Sequence, residues 1–415
     1  MNSEDFVRIG IDARRNFGSG IGRVTSNLTN GLIKYDENND YIIFVNDKSD
    51  FINKNNSYKK AKIVKCNIKY FSKDDIYKFP EIVDKYGIEL FISPQFYISP
   101  FFNCRSIKMV HDLWPLLYPK WIPTQKEFLG FFGNDSFEGV KELVKIFLEY
   151  YNAGKILDNN VFLKTSLSKK YLKKTYLYMI GMMAFTLTTS TKIVIPSMHT
   201  FKEIKSIFPE VVSKVHIIPN FISPIFYDSN KLYTKKRIVL HVSKWEPRKN
   251  LINIIEGFKT FWGNNKNYKL FLVGSSGYRK YGNKILNLIA QEPYKSFIVY
   301  KNLISDPELS KLYNEAKVFL FPSLYEGFGI PIVESMASYT PVITSKVAAI
   351  PEVAGKSALY VDPNSPKQIA NAINNLISDD KLYDLLVESG KNNIKDKYCS
   401  KNVVENWLSL INNNV

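Results

Sequence analysis

The sequence predicts an α/β fold made of two doubly wound parallel sheets, each in its own domain. Short apolar runs alternate with helical stretches along most of the chain, a pattern that favours parallel strands covered by helices on both faces. The pattern starts again after a polar, irregular run, Ser223–Lys236. With 415 residues and 45% hydrophobic content, the chain is long enough for two cores. We therefore predict Rossmann-like domains over 1–225 and 226–398, followed by a helical segment, 399–415.

The apolar runs that are short enough to be buried strands fall into two groups. The amino-terminal group consists of Val7–Ala13, Tyr41–Asp47, Ile63–Lys69, Leu90–Pro94, Ser106–Asp112, Lys192–Pro196 and Val215–Asn220. The carboxyl-terminal group consists of Ile238–Ser243, Lys269–Gly274, Phe297–Lys301, Val318–Phe321, Pro341–Ser345 and Ala358–Asp362. Because ligands of such sheets bind beyond the carboxyl ends of the strands, the loops after these runs are where a site is expected.

The composition limits the classes of function. The formal net charge is +17, and it has three interpretations: lysines solvated over the whole surface, a basic face for anionic lipid or diphosphate groups, and nucleic-acid binding. The lysines are scattered and a nucleic-acid motif is absent, so we predict no nucleic-acid partner. Cys66, Cys104 and Cys399 are far apart, which argues against a zinc site and favours a cytoplasmic location. We expect no signal peptide, since the start lacks a basic stretch followed by an apolar core.

The segment Phe321–Ala337 carries the strongest indication of a ligand site. It follows an apolar strand, and Gly327 and Gly329 allow a tight turn and the close approach of a ligand to the backbone. Pro331 suits the first position of a helix, where its missing N–H costs nothing. The free N–H groups of such a helix start, together with the positive end of the helix dipole, can bind an anion.

Two glutamates flank these glycines. Glu326 precedes them, and Glu334 is expected in the first turn of the helix beyond them. Their carboxylates can accept hydrogen bonds from hydroxyl groups while the helix start binds an anion, and sugar nucleotides offer both kinds of group. The structural alternative is a glycine-rich connection in some other Rossmann-like domain.

The wider sequence around the two glutamates resembles a known family. Its elements are Pro-Ser-x-x-Glu-Gly-Phe-Gly-Ile-Pro at 322–331, Pro-Val-Ile at 341–343 and Pro-Glu-Val-Ala-Gly at 351–355. Together they are similar to the Glu-x7-Glu signature of the retaining glycosyltransferases of family 4. This resemblance implies the GT-B fold, in which two Rossmann-like domains face a central cleft and the last helix crosses back to the first domain. The resemblance covers residues 7–35, 90–119 and 192–412.

The resemblance assigns roles in the carboxyl-terminal half. Glu334 would accept hydrogen bonds from the ribose, and Glu326 would help to hold the sugar and the nearby phosphate. The residues implied in donor binding at this junction are Gly327, Phe328, Gly329, Ile330 and Glu334. Leu303 and Ile304 would contact the base through backbone groups, although the glycine frequent in this loop of relatives is absent. Tyr339 stands where relatives usually have glycine, which predicts a strained or different turn after the helix.

A basic turn follows the strand Ile238–Ser243. It reads Lys-Trp-Glu-Pro-Arg-Lys-Asn and resembles the Glu-Pro-Arg-Lys-Asn of many bacterial family 4 transferases. Arg248 can bind a phosphate bidentately and Lys249 as a point charge, so both are candidate catalytic residues that hold the diphosphate. Lys244 is a candidate donor ligand at a position where relatives often have Arg or Thr. A solvated, charged helix start is the alternative.

The family resemblance also implies that two features of the amino-terminal half contribute to this site. Gly20 and Gly22 belong to a glycine-rich loop, Asn16–Arg23, comparable to the family loop that faces the donor diphosphate and the acceptor; an ordinary tight turn is the alternative. His111 matches the His-Asp-Leu of family members, where the histidine approaches the donor sugar. Asp112 is a weaker candidate for orienting its ring. A structural histidine with satisfied hydrogen bonds is the alternative.

Residues 120–190 interrupt the alternation and are predicted to be a helical insertion, of which 134–167 has no assignment. Helices are predicted at Gly139–Tyr151 and Ser166–Thr191. In the second of these, a basic turn leads into seventeen residues without a charge, 175–191. Such a helix suits an anionic membrane surface, but we favour its burial against the amino-terminal sheet.

Glycosyl transfer requires positive groups that neutralise the leaving nucleoside diphosphate. The sequence contains no Asp-x-Asp, whereas Arg248, Lys249 and the helix start near Pro331 supply positive potential, so we predict that neither a metal nor another cofactor is needed. The family implies retention of anomeric configuration. A carboxylate nucleophile near His111 is not evident, which favours a same-face mechanism in which the departing phosphate oxygen takes the acceptor's proton.

The sequence therefore predicts a cytoplasmic bacterial-type glycosyltransferase of surface polysaccharide synthesis, of the O-antigen or capsule kind. Similarity to mannosyltransferase-like members makes GDP-mannose the first choice of nucleotide-sugar donor and a lipid-linked glycan the expected acceptor, with peripheral contact to the inner face of an anionic membrane. The alternatives are a GT-B transferase with a UDP-sugar donor and a soluble acceptor, and a non-catalytic GT-B binding protein.

Overall fold

A computed structural model of the protein describes residues 6–15, 20–47, 49, 51, 60–95, 97–99, 101–118, 121, 142, 183–184, 186–227, 233–277 and 279–413. The chain divides into two compact units, the first comprising residues 1–218 with 404–415 and the second residues 219–403. The domain boundaries expected at 225 and 398 stay predictions beside this division. Most of the expected insertion, including the helix at 139–151, lies outside the described residues.

The described strands of the first unit form one parallel sheet in the order β3-β2-β1-β4-β5-β6-β7. The strands are β1 (Arg8–Asp12), β2 (Asp40–Val45), β3 (Ala61–Lys65), β4 (Leu90–Ser93), β5 (Arg105–Met109), β6 (Lys192–Ile195) and β7 (Val215–Ile217). The chain moves outwards from β1 to β3 and returns beside β1 with β4. This reversal of direction is the mark of a doubly wound sheet.

Helices cover this sheet. Those with complete bounds are α1 (Gly20–Tyr35), α2 (Lys73–Asp84), α3 (Trp114–Leu117) and α4 (Met198–Ile207), and residues 183–184 and 186–189 are also helical. The Ser72 side chain caps α2 by accepting a hydrogen bond from the backbone N–H of Asp75, and Ser197 caps α4 in the same way. Residues 9–12 of β1 are all buried, so both faces of the sheet are covered at this strand.

A buried ion cluster lies just beyond the carboxyl end of β1. The Arg14 guanidinium contacts Asp12 Oδ2 at 2.7 Å and Asp75 Oδ1 at 2.8 Å, and it lies over the Phe79 ring at 3.6 Å from the centroid. The Tyr70 hydroxyl donates to Asp12 Oδ1 at 2.7 Å. Burial raises the pKa of Asp75 to about 6, because Arg14 offsets the lost solvation only in part. This cluster joins β1 to α2.

The second unit contains another parallel sheet, whose described strands have the order β10-β9-β8-β11-β12-β13. The strands are β8 (Lys236–Val242), β9 (Lys269–Val273), β10 (Ile298–Lys301), β11 (Ala316–Phe321), β12 (Val342–Ser345) and β13 (Ala358–Val361). The chain again returns to the centre, since β11 pairs with β8. Each apolar run predicted as a strand overlaps an observed strand, so the predicted α/β class with two doubly wound sheets is confirmed.

The described helices that follow are α5 (Leu251–Trp262), α6 (Arg279–Ile289), α7 (Asp306–Glu315), α8 (Ile330–Ala337), α9 (Ile350–Ala354), α10 (Pro366–Ser378), α11 (Asp380–Lys397) and α12 (Ser400–Asn412). Helices α5 and α10 pack so closely that a Cβ added to Gly257 of α5 would lie only 2.7 Å from Ile369 Cγ2 of α10. Tyr339, just after α8, has a φ of +54°, which confirms the predicted strained turn. Among the helices that the structure describes, none combines the length and the apolar character needed to span a bilayer.

Candidate functional site

Two neighbouring loops carry the candidate site. Strands β8 and β11 pair in parallel at the centre of the second sheet, with Val239 opposite Val318, so the loops that follow them begin side by side. One loop is 243–250 and the other is 322–329. The backbone N–H of Leu324 donates to the Arg248 carbonyl at 2.7 Å and joins the two loops.

The first loop is shaped by a short turn that ends in a left-handed residue. Residues Pro247–Lys249 form a single 3-10 turn, in which the N–H of Lys249 donates to the Glu246 carbonyl at 2.9 Å. Asn250 has a φ of +61°, a conformation that asparagine tolerates better than most residues. Its side-chain amide donates to the Pro322 carbonyl at 3.0 Å and the Pro363 carbonyl at 2.6 Å. Asn250 thus fixes the basic loop to two other loops.

The loop after β9 lies directly against this basic loop. A Cβ on Gly274 would come within 2.1 Å of the Ser243 carbonyl oxygen, and one on Gly277 within 1.8 Å of the Trp245 carbonyl oxygen. Both glycines also have positive φ, at +126° and +61°. Larger residues at either position would push the two backbones apart.

The charged side chains of the two loops form one cluster. Lys249 Nζ lies 2.5 Å from Glu326 Oε1, and Arg248 Nη1 lies 3.0 Å from Glu326 Oε2. Arg248 Nε donates to Glu246 Oε2 at 2.8 Å, and Lys244 Nζ lies 3.8 Å from Glu246 Oε1. Glu326, Glu246 and Lys249 are buried, whereas 40% of the Lys244 side chain is exposed. The structure therefore brings four predicted residues together with one that was not predicted, Glu246.

Both carboxylates of the cluster are held in the ionised form. Burial by itself would raise the pKa of Glu326, but Lys249 and Arg248 together outweigh burial and hold this pKa below its ordinary value. The pKa of Glu246 is lowered in the same way, against burial, chiefly by Arg248 and then by Lys244. Burial and the neighbouring Arg248 lower the pKa of Lys249.

The cluster has a surplus of positive charge. Among the described residues, the ion pairs of this cluster join three cations to two carboxylates, a net charge of +1 when all five groups are ionised. The cations of this cluster belong to a loop whose backbone is anchored, so the binding of an anion there would require little reorganisation. Guanidinium and ammonium groups in such a setting form short, charge-assisted hydrogen bonds with phosphate oxygens.

The predicted helix start is present beside the cluster. Helix α8 begins at Ile330, and Gly329 precedes it with a φ of +99°, a conformation that favours glycine. Gly327 and Phe328 are buried, and the Phe328 ring packs in the core of the second unit. The backbone of this turn, rather than the Phe328 side chain, is therefore what can meet a ligand.

Glu334 does not lie where the sequence predicted. It is in the second turn of α8 instead of the first, because the helix begins at Ile330 and not at Pro331. It is 0% exposed, and its Oε2 accepts a hydrogen bond of 3.0 Å from the Tyr313 hydroxyl of α7. A ligand that reaches this carboxylate must displace the groups that cover it.

The two residues expected near a nucleotide base differ in exposure. Leu303 is 66% exposed, whereas Ile304 packs against the core of the second unit. They follow β10, the edge strand of this sheet. Their assignment to the base stays a prediction.

His111 and the two early glycines belong to the first unit. His111 Nε2 lies 2.8 Å from the Pro94 carbonyl, which can only accept, so this nitrogen carries the proton of the neutral ring. Burial lowers the pKa of His111 and favours that neutral form. Gly20 and Gly22 lie in the first turn of α1, whereas the sequence predicted a loop there; residues 16–19 lie outside the described residues.

His241, which lies in β8 just before the basic loop, was not predicted as part of the site. Its Nδ1 donates to the Leu320 carbonyl at 2.9 Å, so Nε2 accepts from the Ser243 hydroxyl at 2.7 Å. Burial lowers its pKa to about 4, which keeps the ring neutral. The ring stacks on Phe321, and Lys249 Nζ lies 5.1 Å from the centroid of Phe321. Because His241 lies within an apolar run, the sequence around it does not predict these hydrogen bonds or the ring contact.

Part of the second unit matches a known protein family. Residues 224–393 match the family described as glycosyl transferases group 1. O-antigen chain mannosyltransferase B of Escherichia coli is 33% identical over 153 residues, which are 36% of this chain and 39% of that protein. O-antigen chain mannosyltransferase RfbU of Salmonella typhimurium is 32% identical over 199 residues, 47% of this chain and 53% of that protein. The chain thus spans about two fifths to a half of these relatives.

Solved structures match over nearly the whole chain. A sucrose-phosphate synthase from Thermosynechococcus elongatus has a TM-score of 0.65 at 17% identity, covering 98% of both chains. Anabaena Alr3699/HepE in complex with UDP and glucose has a TM-score of 0.67 at 12% identity, covering 98% of this chain and 99% of its own. At these identities the likeness shows the fold, which is GT-B as expected.

Proposed function

We propose that the chain is a glycosyltransferase of the group 1 family, whose model matches residues 224–393, and that it moves a sugar from a nucleotide sugar to a glycan acceptor. The observation that carries this proposal is the cluster in which Lys244, Arg248 and Lys249 form ion pairs with the buried carboxylates of Glu246 and Glu326. A nucleoside diphosphate offers the negative charge that such a cluster lacks. Its phosphates would also meet the backbone N–H groups before α8.

The cluster suits the departure of the diphosphate. As the bond to the anomeric carbon breaks, negative charge grows on the phosphate oxygens, and fixed cations in a water-poor site stabilise that charge strongly. Arg248 and Lys249 would supply this stabilisation, so we propose that the reaction needs no metal ion. Activity that survives excess EDTA is the expected result.

We propose the remaining roles from the family resemblance and from the contacts of each group. Glu326, already paired with both cations, would keep them in place and accept a hydrogen bond from the sugar. Glu334, oriented by the Tyr313 hydroxyl, would accept from the ribose once it is uncovered. His111, whose Nε2–H is committed to the Pro94 carbonyl, would present Nδ1 to the donor sugar. We propose retention through the same-face route, which trapping of a glycosyl–enzyme adduct would contradict.

We propose GDP-mannose as the first donor to test and a lipid-linked glycan of surface polysaccharide as the acceptor. Two relatives are named O-antigen chain mannosyltransferases, which supports this choice. A protein of this kind would work at the inner face of the membrane. The formal charge of +17 supports peripheral contact with anionic lipid.

A UDP-sugar donor with a soluble acceptor is the second candidate. It is favoured by the fold likeness to a sucrose-phosphate synthase and to a protein solved with UDP and glucose. Activity on free sugars or sugar phosphates without detergent would support it.

A thermal-shift panel tests the donor. GDP-, UDP-, dTDP- and ADP-sugars are added to the full chain, and the sugar nucleotide that binds the folded state raises its unfolding midpoint. The Lys249→Ala and Glu334→Gln variants should lose the shift. Glu315→Gln is the matched control, since Glu315 is similarly buried and pairs with Lys236 at the other end of β8. A wild-type protein that responds to none of the four would contradict the proposal.

A further inference from the structure

Glu246 lies between two of the three cations of the cluster. Its Oε2 accepts from Arg248 Nε at 2.8 Å, and its Oε1 lies 3.8 Å from Lys244 Nζ. The residue is 8% exposed, so these contacts form largely out of water. We propose that Glu246 is a positioning residue, which sets the plane of the Arg248 guanidinium for a diphosphate. This inference rests on the proposed nucleotide-sugar function.

The guanidinium of Arg248 is held from two sides. Glu246 engages Nε, while Nη1 contacts Glu326 Oε2 at 3.0 Å and the Tyr325 carbonyl at 3.3 Å. A planar group with contacts on two of its nitrogens has a fixed plane. A fixed plane also fixes the directions of the guanidinium N–H bonds, which limits the reorganisation needed when the group forms a hydrogen bond with a phosphate oxygen.

Glu246 is itself fixed by the backbone. Its carbonyl accepts from the Lys249 N–H at 2.9 Å, and Pro247 follows it in the 3-10 turn. The carbonyl of Arg248 is bound by the N–H of Leu324 at 2.7 Å. The carboxylate and the guanidinium that it orients therefore start from anchored positions on one turn.

Charge and geometry predict opposite effects for this residue. A carboxylate beside an anion site repels the anion, so by Coulomb attraction alone the loss of Glu246 would tighten diphosphate binding. If Glu246 positions Arg248, its alteration weakens diphosphate binding even when a negative charge is removed. The sign of the change separates the two roles.

The experiment uses two variants of the full chain. E246D keeps the charge but shortens the side chain by one methylene, and E246Q keeps the length but removes the charge. Calorimetry measures the binding of inorganic pyrophosphate, GDP, UDP and the two nucleosides. We expect E246D to bind the diphosphate groups about tenfold more weakly and E246Q about threefold more weakly, with nucleoside binding unchanged.

Several outcomes would overturn the inference. Tighter diphosphate binding by E246Q, or unchanged binding by E246D, would show that Glu246 does not position Arg248. An equal loss for nucleosides and diphosphates would show a purely structural role. If one variant does not fold, the sign of the change in the other still decides. Glu315→Gln should bind as wild type does. A wild type that binds neither pyrophosphate nor nucleotides would instead overturn the proposed function, and this inference with it.

Discussion

Each unit has a buried ion cluster just beyond the carboxyl end of a central strand, and the two clusters differ in the sign of their charge. In the first unit one cation, Arg14, faces Asp12 and Asp75, which gives a net charge of −1 when all are ionised. In the second unit three cations face Glu246 and Glu326, which gives +1. Among the described residues, the cation of the first cluster is paired within the fold, whereas the second cluster has more cations than carboxylates.

The pKa values of the carboxylates follow the same division. With too little positive charge nearby, burial raises the pKa of Asp75 to about 6. With a surplus nearby, the pKa values of Glu246 and Glu326 fall below their ordinary values although both are buried. Similar positions on similar sheets thus hold clusters of opposite net charge, and the ligand site that we propose is the one with the positive charge.

The largest expected effect is on the stability of the first unit. Arg14→Met leaves Asp12 and Asp75 buried without a cation, so the free energy of unfolding should fall by about 3–5 kcal/mol. Urea denaturation measures this loss. Lys78→Met, which removes an exposed partner of Asp74, should change it by less than about 0.5 kcal/mol. A small effect of Arg14→Met would show that the cluster is not what joins β1 to α2.

The next effect is on ligand binding in the second unit. Lys249→Met removes one cation and leaves Glu326 with Arg248 alone, so the affinity for a nucleoside diphosphate should fall by about 100-fold. Isothermal titration calorimetry on the folded variant measures it. Lys236→Met removes a cation paired with Glu315 at the opposite end of β8 and should bind as wild type does. Equal affinity in Lys249→Met and wild type would place the diphosphate elsewhere.

The two clusters should respond to pH in opposite directions. The folded pKa of Asp75 lies above its unfolded value, so its contribution to stability is full below about pH 4 and is lost as pH rises through about 6. From pH 5 to 7 this loss amounts to about 1 kcal/mol. Glu246 and Glu326, with lowered pKa values, contribute above their unfolded pKa and lose that contribution as pH falls below it.

Denaturation at a series of pH values measures this response. Asp75→Asn should remove the decline in stability between pH 5 and 7, whereas Glu326→Gln should leave that decline in place and reduce the loss of stability in acid. A decline that persists in Asp75→Asn would assign the titration to another group.

The smallest effect concerns strain outside both clusters. Tyr339, at the end of α8, has a φ of +54°, so Tyr339→Gly should relieve strain and raise the free energy of unfolding by about 0.5 kcal/mol. Nucleotide affinity should stay unchanged, as the residue lies outside the charged loops. A change in affinity without a change in stability would extend the binding site to this turn.

The strands could be predicted because each is a short apolar run with polar residues on either side. The meeting of Arg248 and Lys249 with Glu326 could also be predicted, since both loops follow strands of one sheet and their motifs resemble a family. Helix α8 begins at Ile330, one residue earlier than predicted, because the left-handed residue that precedes the helix is Gly329. That shift moved Glu334 into the second turn.

Other contacts, in the site and in the cluster of the first unit, could not be predicted from the neighbouring sequence. Asn250 binds carbonyls 72 and 113 residues away, and Tyr70 binds Asp12 across 58 residues. Such contacts depend on which strands become neighbours, and the sequence around each residue does not contain that information. Glu246 was visible as part of a motif, but its role depends on the direction of the Arg248 side chain.

The central claim is that fixed cations of the second unit bind a nucleoside diphosphate without a metal ion. Titrating GDP, UDP and the matching nucleosides into the wild-type chain in excess EDTA tests it most directly. We predict that one diphosphate binds at least about 100-fold more tightly than its nucleoside, the effect of two or more charge-assisted contacts. Equal affinity of diphosphate and nucleoside, or diphosphate binding only after magnesium is restored, would contradict the account.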